Sequence, residues 1–498
     1  MAGKIDPHSE AAIRKAELAT RRLFLKQCSL GLGALALGPL ATGCQNESGI
    51  GGVHARDATQ PLQARSAPAA GKARAVIYLH MAGAPSQLEL FDYKPELAKL
   101  DGQPCPESLL QGKKFAFIRG VPKMLGSIGK FQQHGQSGAW ISHYLPHLAG
   151  VADELAFLKA VHTDQFNHAP AQLLMHTGSA RLGRPSLGSW VTYGLGSENA
   201  NLPGFVVLTS GGQHPDAGKS VWGSGFLPSV YQGVHCRSHG EPVLYLDNPP
   251  GVSTEMRRAS IEAINRTNRE THEEFNDPET LARISQYEMA FRMQIAAPDI
   301  MDIRDEPAYI HEMYGTEPGK ASFANNVLLA RKLVEKGVRF VQLFDWGWDV
   351  HGNSTDTSLE IGLVNKCREV DRAITALVLD LKQRGLLEET LIVWGSEFGR
   401  TPMQENRNGL IMPFKGRDHH ADAFTMWMCG GGSRQGVTYG ATDEIGFHGV
   451  EGKVSVYDVQ ATILHLLGFD HETFTYPFQG RPFRLTDVAG SVIRPIIA

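Results

Sequence analysis

The sequence predicts an α/β protein with a mainly parallel central sheet flanked by helices. Three observations carry that prediction. Short continuous apolar runs recur along the chain, as in strands covered on both faces. Amphipathic stretches of helical length alternate with them, the pattern of crossover units in a parallel sheet. Titratable residues gather just past the ends of those runs, where open α/β sheets place their functional groups.

The first segment is addressed by its own motif. Thr20-Arg21-Arg22-Leu23-Phe24-Leu25-Lys26 has the form of a twin-arginine export signal, followed by a Gly-rich apolar run from Cys28 to Ala41 that is too short to span a bilayer. The run exits through Leu40-Ala41-Thr42-Gly43-Cys44, an imperfect lipobox, so Cys44 is a candidate lipid anchor and simple cleavage is the alternative. Residues 1–44 are therefore read as signal peptide and 45–73 as a flexible linker rich in Gly, Ala, Gln, Ser and Pro. A single large domain is expected over 74–498, with a helical or loop insertion around 231–320.

Within the domain, strands are expected at Ala75–Leu79, Glu154–Val161, Gly204–Thr209, Val338–Phe344, Thr390–Ser396 and Ala423–Cys429. Helices are expected at Leu187–Leu195, Pro278–Gln294, Ala321–Lys336, Ser358–Gln383 and Val456–Leu467, the last with Asp458 in its first turn, where a carboxylate favours the helix dipole. The composition, 42% hydrophobic and 20% charged, suits a soluble protein with a sizeable core. A net charge of −4 provides no electrostatic footprint for nucleic acid or an anionic membrane. The four cysteines beyond the signal, Cys105, Cys236, Cys367 and Cys429, show no paired spacing and form no disulfide framework.

The chemistry concentrates in three places. Beyond the strand ending at Phe344, Asp349 and His351 lie two residues apart, so an extended backbone turns both to one side where they can share an ion, and Asp345 is a candidate third ligand. Glu397 ends the strand at Thr390–Ser396 with Arg400 three residues on. The two read either as a simple ion pair or as a metal ligand beside an anion-binding arginine. Downstream, Asp418-His419-His420 precedes a strand, where adjacent histidines face opposite ways, and His420 is taken as the ligand over His419. His168, in Asn167-His168-Ala169-Pro170, fits a nucleophile, a general base or a ligand, and a plain loop histidine is the bland alternative. The Gly-rich loop Thr209-Ser210-Gly211-Gly212-Gln213-His214 lacks a phosphate-binding arrangement and reads as a mobile rim.

Several of these segments together resemble a family. Ser86-Gln87-Leu88-Glu89-Leu90-Phe91-Asp92-Tyr93-Lys94-Pro95, Gly183-Arg184-Pro185-Ser186-Leu187-Gly188-Ser189-Trp190, Trp348-Asp349-Val350-His351 and Glu397-Phe398-Gly399-Arg400-Thr401-Pro402 are similar to the exported bacterial family called domain of unknown function fifteen-oh-one. That family is sulfatase-like, within the alkaline phosphatase superfamily. The resemblance implies an alkaline phosphatase/sulfatase-like fold and a site of one or two divalent ions (zinc, manganese, calcium or magnesium) serving hydrolysis of sulfate or phosphate esters.

Against the sulfatase pattern Cys-x-Pro-Ser-Arg followed by Thr-Gly, this chain has His168-Ala169-Pro170-Ala171-Gln172 and then Thr177-Gly178. A formylglycine made from cysteine is thereby excluded, and His168 stands in the nucleophile's slot. Ser396-Glu397-Phe398-Gly399 resembles the superfamily's Ser-Asp-His-Gly metal turn with its histidine lost, and His80-Met81-Ala82-Gly83 stands where first-strand aspartates are usual.

The expectation is an exported, metal-dependent hydrolase of anionic small-molecule or glycan esters. Asp349, His351, Glu397 and His420 are its metal candidates, with His168 at the reaction centre and Arg400 holding the anion. The alternative is a degenerate relative that binds or assembles in the cell envelope without chemistry.

Overall fold

In a computed structural model of the chain, residues 60–498 are described, apart from 239, 242, 244–246, 276 and 408. The signal peptide, Cys44 and the linker as far as residue 59 lie outside the described residues. The sequence starts the fold near Ala73, yet backbone bonds to the domain begin earlier. Arg65 N donates to Leu195 O at 2.8 Å and Ala69 N to Gly468 O at 3.1 Å. Small residues permit that close passage, since a Cβ on Gly71 would come within 2.4 Å of Gly468 N.

The strands of the main sheet are β1 (Ala75–Ala82), β2 (Ala156–His162), β3 (Phe205–Ser210), β4 (Val234–His235), β5 (Phe340–Trp346), β6 (Thr390–Gly395), β7 (Phe424–Cys429), β8 (Val437–Tyr439) and β9 (Val454–Ser455). Their order is β8-β2-β7-β6-β1-β5-β3-β4, with β9 also paired to β2, making nine strands. β7 is antiparallel to both its neighbours and every other pairing is parallel. The mainly parallel α/β sheet expected from the sequence is therefore present. The principal helices are α1 (His168–Thr177), α2 (Leu187–Leu195), α3 (Thr254–Phe275), α4 (Pro278–Met301), α5 (Phe323–Glu335), α6 (Gly362–Gln383) and α7 (Val456–Leu466).

Residues of the central strands alternate between two apolar layers. Ile77, Leu79, Val341, Leu343 and Ile392 pack with α5 and α6, whereas Val76, Tyr78, Phe340, Phe344 and Val393 pack with α1, α2 and α7. Burial on both faces explains why these strands read as largely apolar runs without polar alternation. The segment expected as an insertion carries the long helices α3 and α4.

The helix that carries His168, α1, is not among those the sequence predicts. α1 starts at His168, with Pro170 in its first turn, where a missing N–H costs no helical bond. Residues Ala171–Thr177 are all buried, so α1 has no polar face to mark it as a helix. Cys105, Cys236, Cys367 and Cys429 are buried free thiols.

Candidate metal centre

The register of the central strands brings their carboxyl ends to one edge: Met81 lies beside Asp345, Ser210 beside Asp345, and His80 beside Gly395. Just past this edge the chain after β5 descends through Trp348 to Asp349, Val350 and His351. Trp348 is buried, and its Nε1 donates to Asp345 Oδ2 at 2.9 Å. Asp345 also accepts from Ser210 Oγ at 2.7 Å and pairs with Lys366 at 2.9 Å. It is thus spent on holding the turn and is not the third ligand the sequence suggested.

Two close approaches seat Asp349 and His351. Gly83, at φ +103°, lies where a Cβ would come within 2.6 Å of Asp349 N. Gly416 lies where a Cβ would come within 2.0 Å of the His351 carbonyl carbon, so the strand bearing His419 and His420 can pass directly alongside.

Three imidazoles converge on Asp349 Oδ1. His351 Nε2 lies at 2.8 Å, and His168 Nε2 and His419 Nε2 each lie at 3.3 Å. His351 Nε2 and His419 Nε2 are 3.1 Å apart. The far nitrogen of every ring meets an acceptor. His168 Nδ1 faces Glu397 Oε1 at 2.7 Å, His419 Nδ1 faces the Phe166 carbonyl at 2.7 Å, and His351 Nδ1 bonds Glu405 Oε2. A carbonyl only accepts, so His419 Nδ1 carries a hydrogen there, and the carboxylates impose the same on the other two rings. Neutral rings in that tautomer turn bare Nε2 lone pairs toward one another, which is repulsive unless a cation sits among them. His168, Asp349, His351 and His419 are indeed a set whose ligand atoms all lie within 4.8 Å of one another. Their donor chemistry and mutual aim fit a divalent ion.

The electrostatics agree. Burial works to raise the Asp349 carboxyl, but the Arg400 guanidinium and the three imidazoles overcome it and hold it far below the usual carboxylate range. His168 loses stability as a cation through burial, yet Asp349 and Glu397 more than offset this and push it up to about 9. His419 moves the other way, to about 4, through burial and the repulsion of Arg400 and His168. Asp349 and Glu397 thus favour one positive species at this point, either the His168 proton or an ion that would take its place.

Three further sequence assignments change. His420 does not join the cluster: Nε2 bonds the Phe447 carbonyl at 2.6 Å and its ring stacks on Phe447. The short pairing of Gly399–Arg400 with His419–His420 fixes which of the two histidines turns inward, and it is His419. Glu397 is not a free ligand. Fully buried, it accepts from Gly83 N at 3.1 Å and Gln172 Nε2 at 3.2 Å, and from Ser396 Oγ. With His168 on one oxygen and His80 Nε2 at 3.1 Å from the other, its acceptor sites are filled and it orients His168 instead.

Arg400 is turned inward to Asp349 and backbone carbonyls, with no face left for a substrate anion. It is wholly buried, donating from Nε to Ala84 O at 2.8 Å, from Nη1 to Arg417 O at 3.0 Å, and from Nη2 to Gly83 O and to Asp349 Oδ1 at 2.5 Å. The sequence reading missed Glu405 and gave Gln172 and His80 no role; all three act through the ligands or through Glu397. It also missed the buried pair Arg417–Glu89, at 2.6 Å, beneath the site.

A family model described as "Protein of unknown function (DUF1501)" matches residues 73–497. The chain belongs to this family. No curated protein matches the chain in sequence. Among solved structures, this DUF1501 protein is similar to the PsFucS1 sulfatase from Pseudoalteromonas sp., at 13% identity over 83% of this chain and 74% of that one, with a TM-score of 0.36. It is also similar to the alkaline phosphatase from the Antarctic bacterium TAB5 (12% identity, 80% and 98% covered, TM-score 0.33). A third is the phosphonate monoester hydrolase from Silicibacter pomeroyi (12% identity, 84% and 76% covered, TM-score 0.34).

Proposed function

We propose that this DUF1501 protein is an exported, metal-dependent hydrolase of sulfate or phosphate esters, with glycan-linked esters among its substrates. One observation carries the metal: three Nε2 atoms and one carboxylate oxygen face a common point while every Nδ1 is held by an acceptor. His168, Asp349, His351 and His419 would hold the ion, and a set of three imidazoles with one carboxylate suits zinc, manganese or iron better than calcium or magnesium. Bound there, the ion supplies a Lewis acid for the ester oxygen and lowers the pKa of a water.

The chain's own residues prepare the site. Glu397 and Glu405 keep the Nδ1 hydrogens of His168 and His351 in place, so both rings offer Nε2. Arg400 fixes Asp349 Oδ1 and leaves the partly exposed side of that carboxylate toward solvent. His168 occupies the slot of the sulfatase nucleophile and is already committed to the cluster, which favours water as the attacking group. Export rests on the twin-arginine motif, with Cys44 as the candidate lipid anchor.

The test uses purified mature protein incubated with zinc, manganese, calcium or magnesium, then assayed for bound metal and for hydrolysis of aryl sulfates and phosphates. One ion per chain, retained by the wild type and lost in His351→Ala, is expected together with metal-dependent hydrolysis. Protein that retains none of these ions overturns the reading. A second reading, an envelope binding protein without chemistry, is favoured by the absence of a hydroxyl or thiol at position 168. It predicts metal-loaded protein that binds sulfated sugar and hydrolyses no ester.

A further inference from the structure

Beside the cluster lies a second concavity that the hydrolytic reading does not use. The 3-10 helix Gly218–Trp222 follows the loop after β3. It is tied to the cluster through one side chain: Ala217 N donates to Gln172 Oε1 at 3.2 Å, while Gln172 Nε2 donates to Glu397 at 3.2 Å. On its other side the helix helps to wall a cavity of about 540 Å³ lined by Arg184, Lys219, Trp222, Gln232 and His235, with glycine backbone at 223, 225 and 233. Polar side chains, bare backbone and one indole wall suit a polyol, in contrast to an apolar guest.

The charge of this cavity is one-sided. Lys219 has no ion-pair partner among the described residues. Arg184 lies 3.5 Å from Asp487, a carboxylate that Arg481 holds more closely at 2.7 Å, and Arg184 Nη1 has no hydrogen-bond partner among the described residues. Arg237 Nε is likewise without one. His235 reports the resulting field: burial lowers its pKa first, and His214, Arg237 and Lys219 lower it further. The other carboxylate nearby, Asp216, is turned to Gln172 at 3.4 Å. A cavity whose Lys219 has no ion-pair partner among the described residues, and whose Arg184 shares one carboxylate with Arg481, carries a surplus of positive charge that favours an anionic guest.

We infer that this cavity is a subsite for a sugar-sized unit bearing a sulfate or phosphate group, with Lys219 and Arg184 selecting the charged over the neutral sugar. As a subsite for the substrate, it rests on the neighbouring cluster being the reacting centre. As a binding site, it stands on its own residues.

The experiment is calorimetric titration of the whole mature protein with glucose-6-sulfate, glucose-6-phosphate and glucose, in metal-replete and chelator-treated forms. The variants are Lys219→Ala, Arg184→Ala and Lys219→Arg, with circular dichroism to check the fold. Both charged sugars should bind more tightly than glucose, and the tighter of the two identifies the group preferred. Lys219→Ala and Arg184→Ala should each weaken that binding about tenfold, Lys219→Arg should restore most of it, and chelation should leave it in place. Equal affinity for glucose, or unchanged affinity in both alanine variants, overturns the subsite. Binding that vanishes on chelation and ignores both variants locates the sugar at the metal cluster, refuting the subsite while sparing the metal. Binding that depends on Lys219 in protein that retains no metal preserves the subsite and sinks the hydrolase.

Discussion

Replacing Glu405 by glutamine tests the cluster without touching a ligand. Glu405 is fully buried, bonds His351 Nδ1 through Oε2 and accepts from Arg407 Nε at 2.7 Å through Oε1. Glutamine has the same shape but only one acceptor oxygen. If that oxygen stays with Arg407, its NH2 group faces His351 Nδ1, and the ring must move its hydrogen to Nε2 to avoid two donors in opposition. A protonated Nε2 cannot ligate. Losing such an outer partner costs about 10–100-fold in metal affinity, or about 1.4–2.7 kcal/mol. The fold should survive, because Arg407 is about one-third exposed and its pair contributes less than about 1 kcal/mol. Competition with a chromogenic chelator for zinc or manganese, using wild type, Glu405→Gln and His351→Ala, measures the effect. An unchanged affinity in Glu405→Gln beside a lost site in His351→Ala would refute the tautomer argument.

Three further outcomes follow from particular contacts. His419→Ala should abolish stoichiometric metal binding, whereas His420→Ala, which removes only the bond to and stack on Phe447, should retain it by metal analysis; the opposite pattern would return the ligand role to His420. Arg417→Met should leave the Glu89 carboxylate buried and unpaired, costing about 3–5 kcal/mol in denaturant unfolding, and a wild-type midpoint would contradict this. Lys159, fully buried beside Phe91 O, is pushed down from 10.5 to about 8, chiefly by burial. Below about pH 8 both states hold this proton and the penalty of about 3 kcal/mol is fully present. Between about 8 and 10.5 the unfolded chain binds more protons than the native one, so stability rises with pH. Lys159→Met should flatten that rise in unfolding free energy measured across the window, and an equal slope in both proteins would argue against a buried amine.

The parts of the fold legible in the sequence were those with a simple period. Strands such as β5 and β6 are buried along nearly their whole length and mostly apolar because both faces are covered, and helices such as α6 have one buried side, so their patterns stand out. α1 did not, because burial around nearly the whole helix erases the polar face. At the site, the two-residue spacing of Asp349 and His351 marked a shared direction correctly. The choice between His419 and His420 could not be made that way. It depends on a pairing with Gly399–Arg400 that is set by distant contacts at Gly416 and Gln87. Glu397 and Arg400 were legible as charged residues past a strand end, but their saturation by backbone groups from the β1 turn is tertiary information. Glu405 offered no local signal at all.

The inward turn of Arg400 changes what the site is asked to do. Its guanidinium neutralises Asp349 at 2.5 Å, while the His168 and His351 rings screen Glu397 and Glu405, which have their own partners in His80 and Arg407. With an ion in place of the His168 proton, three neutral imidazoles and a carboxylate cancelled by an arginine would contribute no net formal charge, so a bound dication would keep nearly all of its charge toward the opening. A neutral ester gains little from such a field, whereas an anionic one gains both attraction on approach and stabilisation of charge that develops on its oxygens. On the proposed function, the arginine that the sequence assigned to the substrate would favour an anion indirectly, by keeping Asp349 from spending the ion's charge. In the proposed subsite, direct contact with a charged substrate would fall to Lys219 and Arg184 across Gln172. That division of labour requires the two cationic regions to act on one molecule, and it makes monoanionic and dianionic esters of the same alcohol the informative pair. Their specificity ratio should shrink in Lys219→Ala while metal content stays constant.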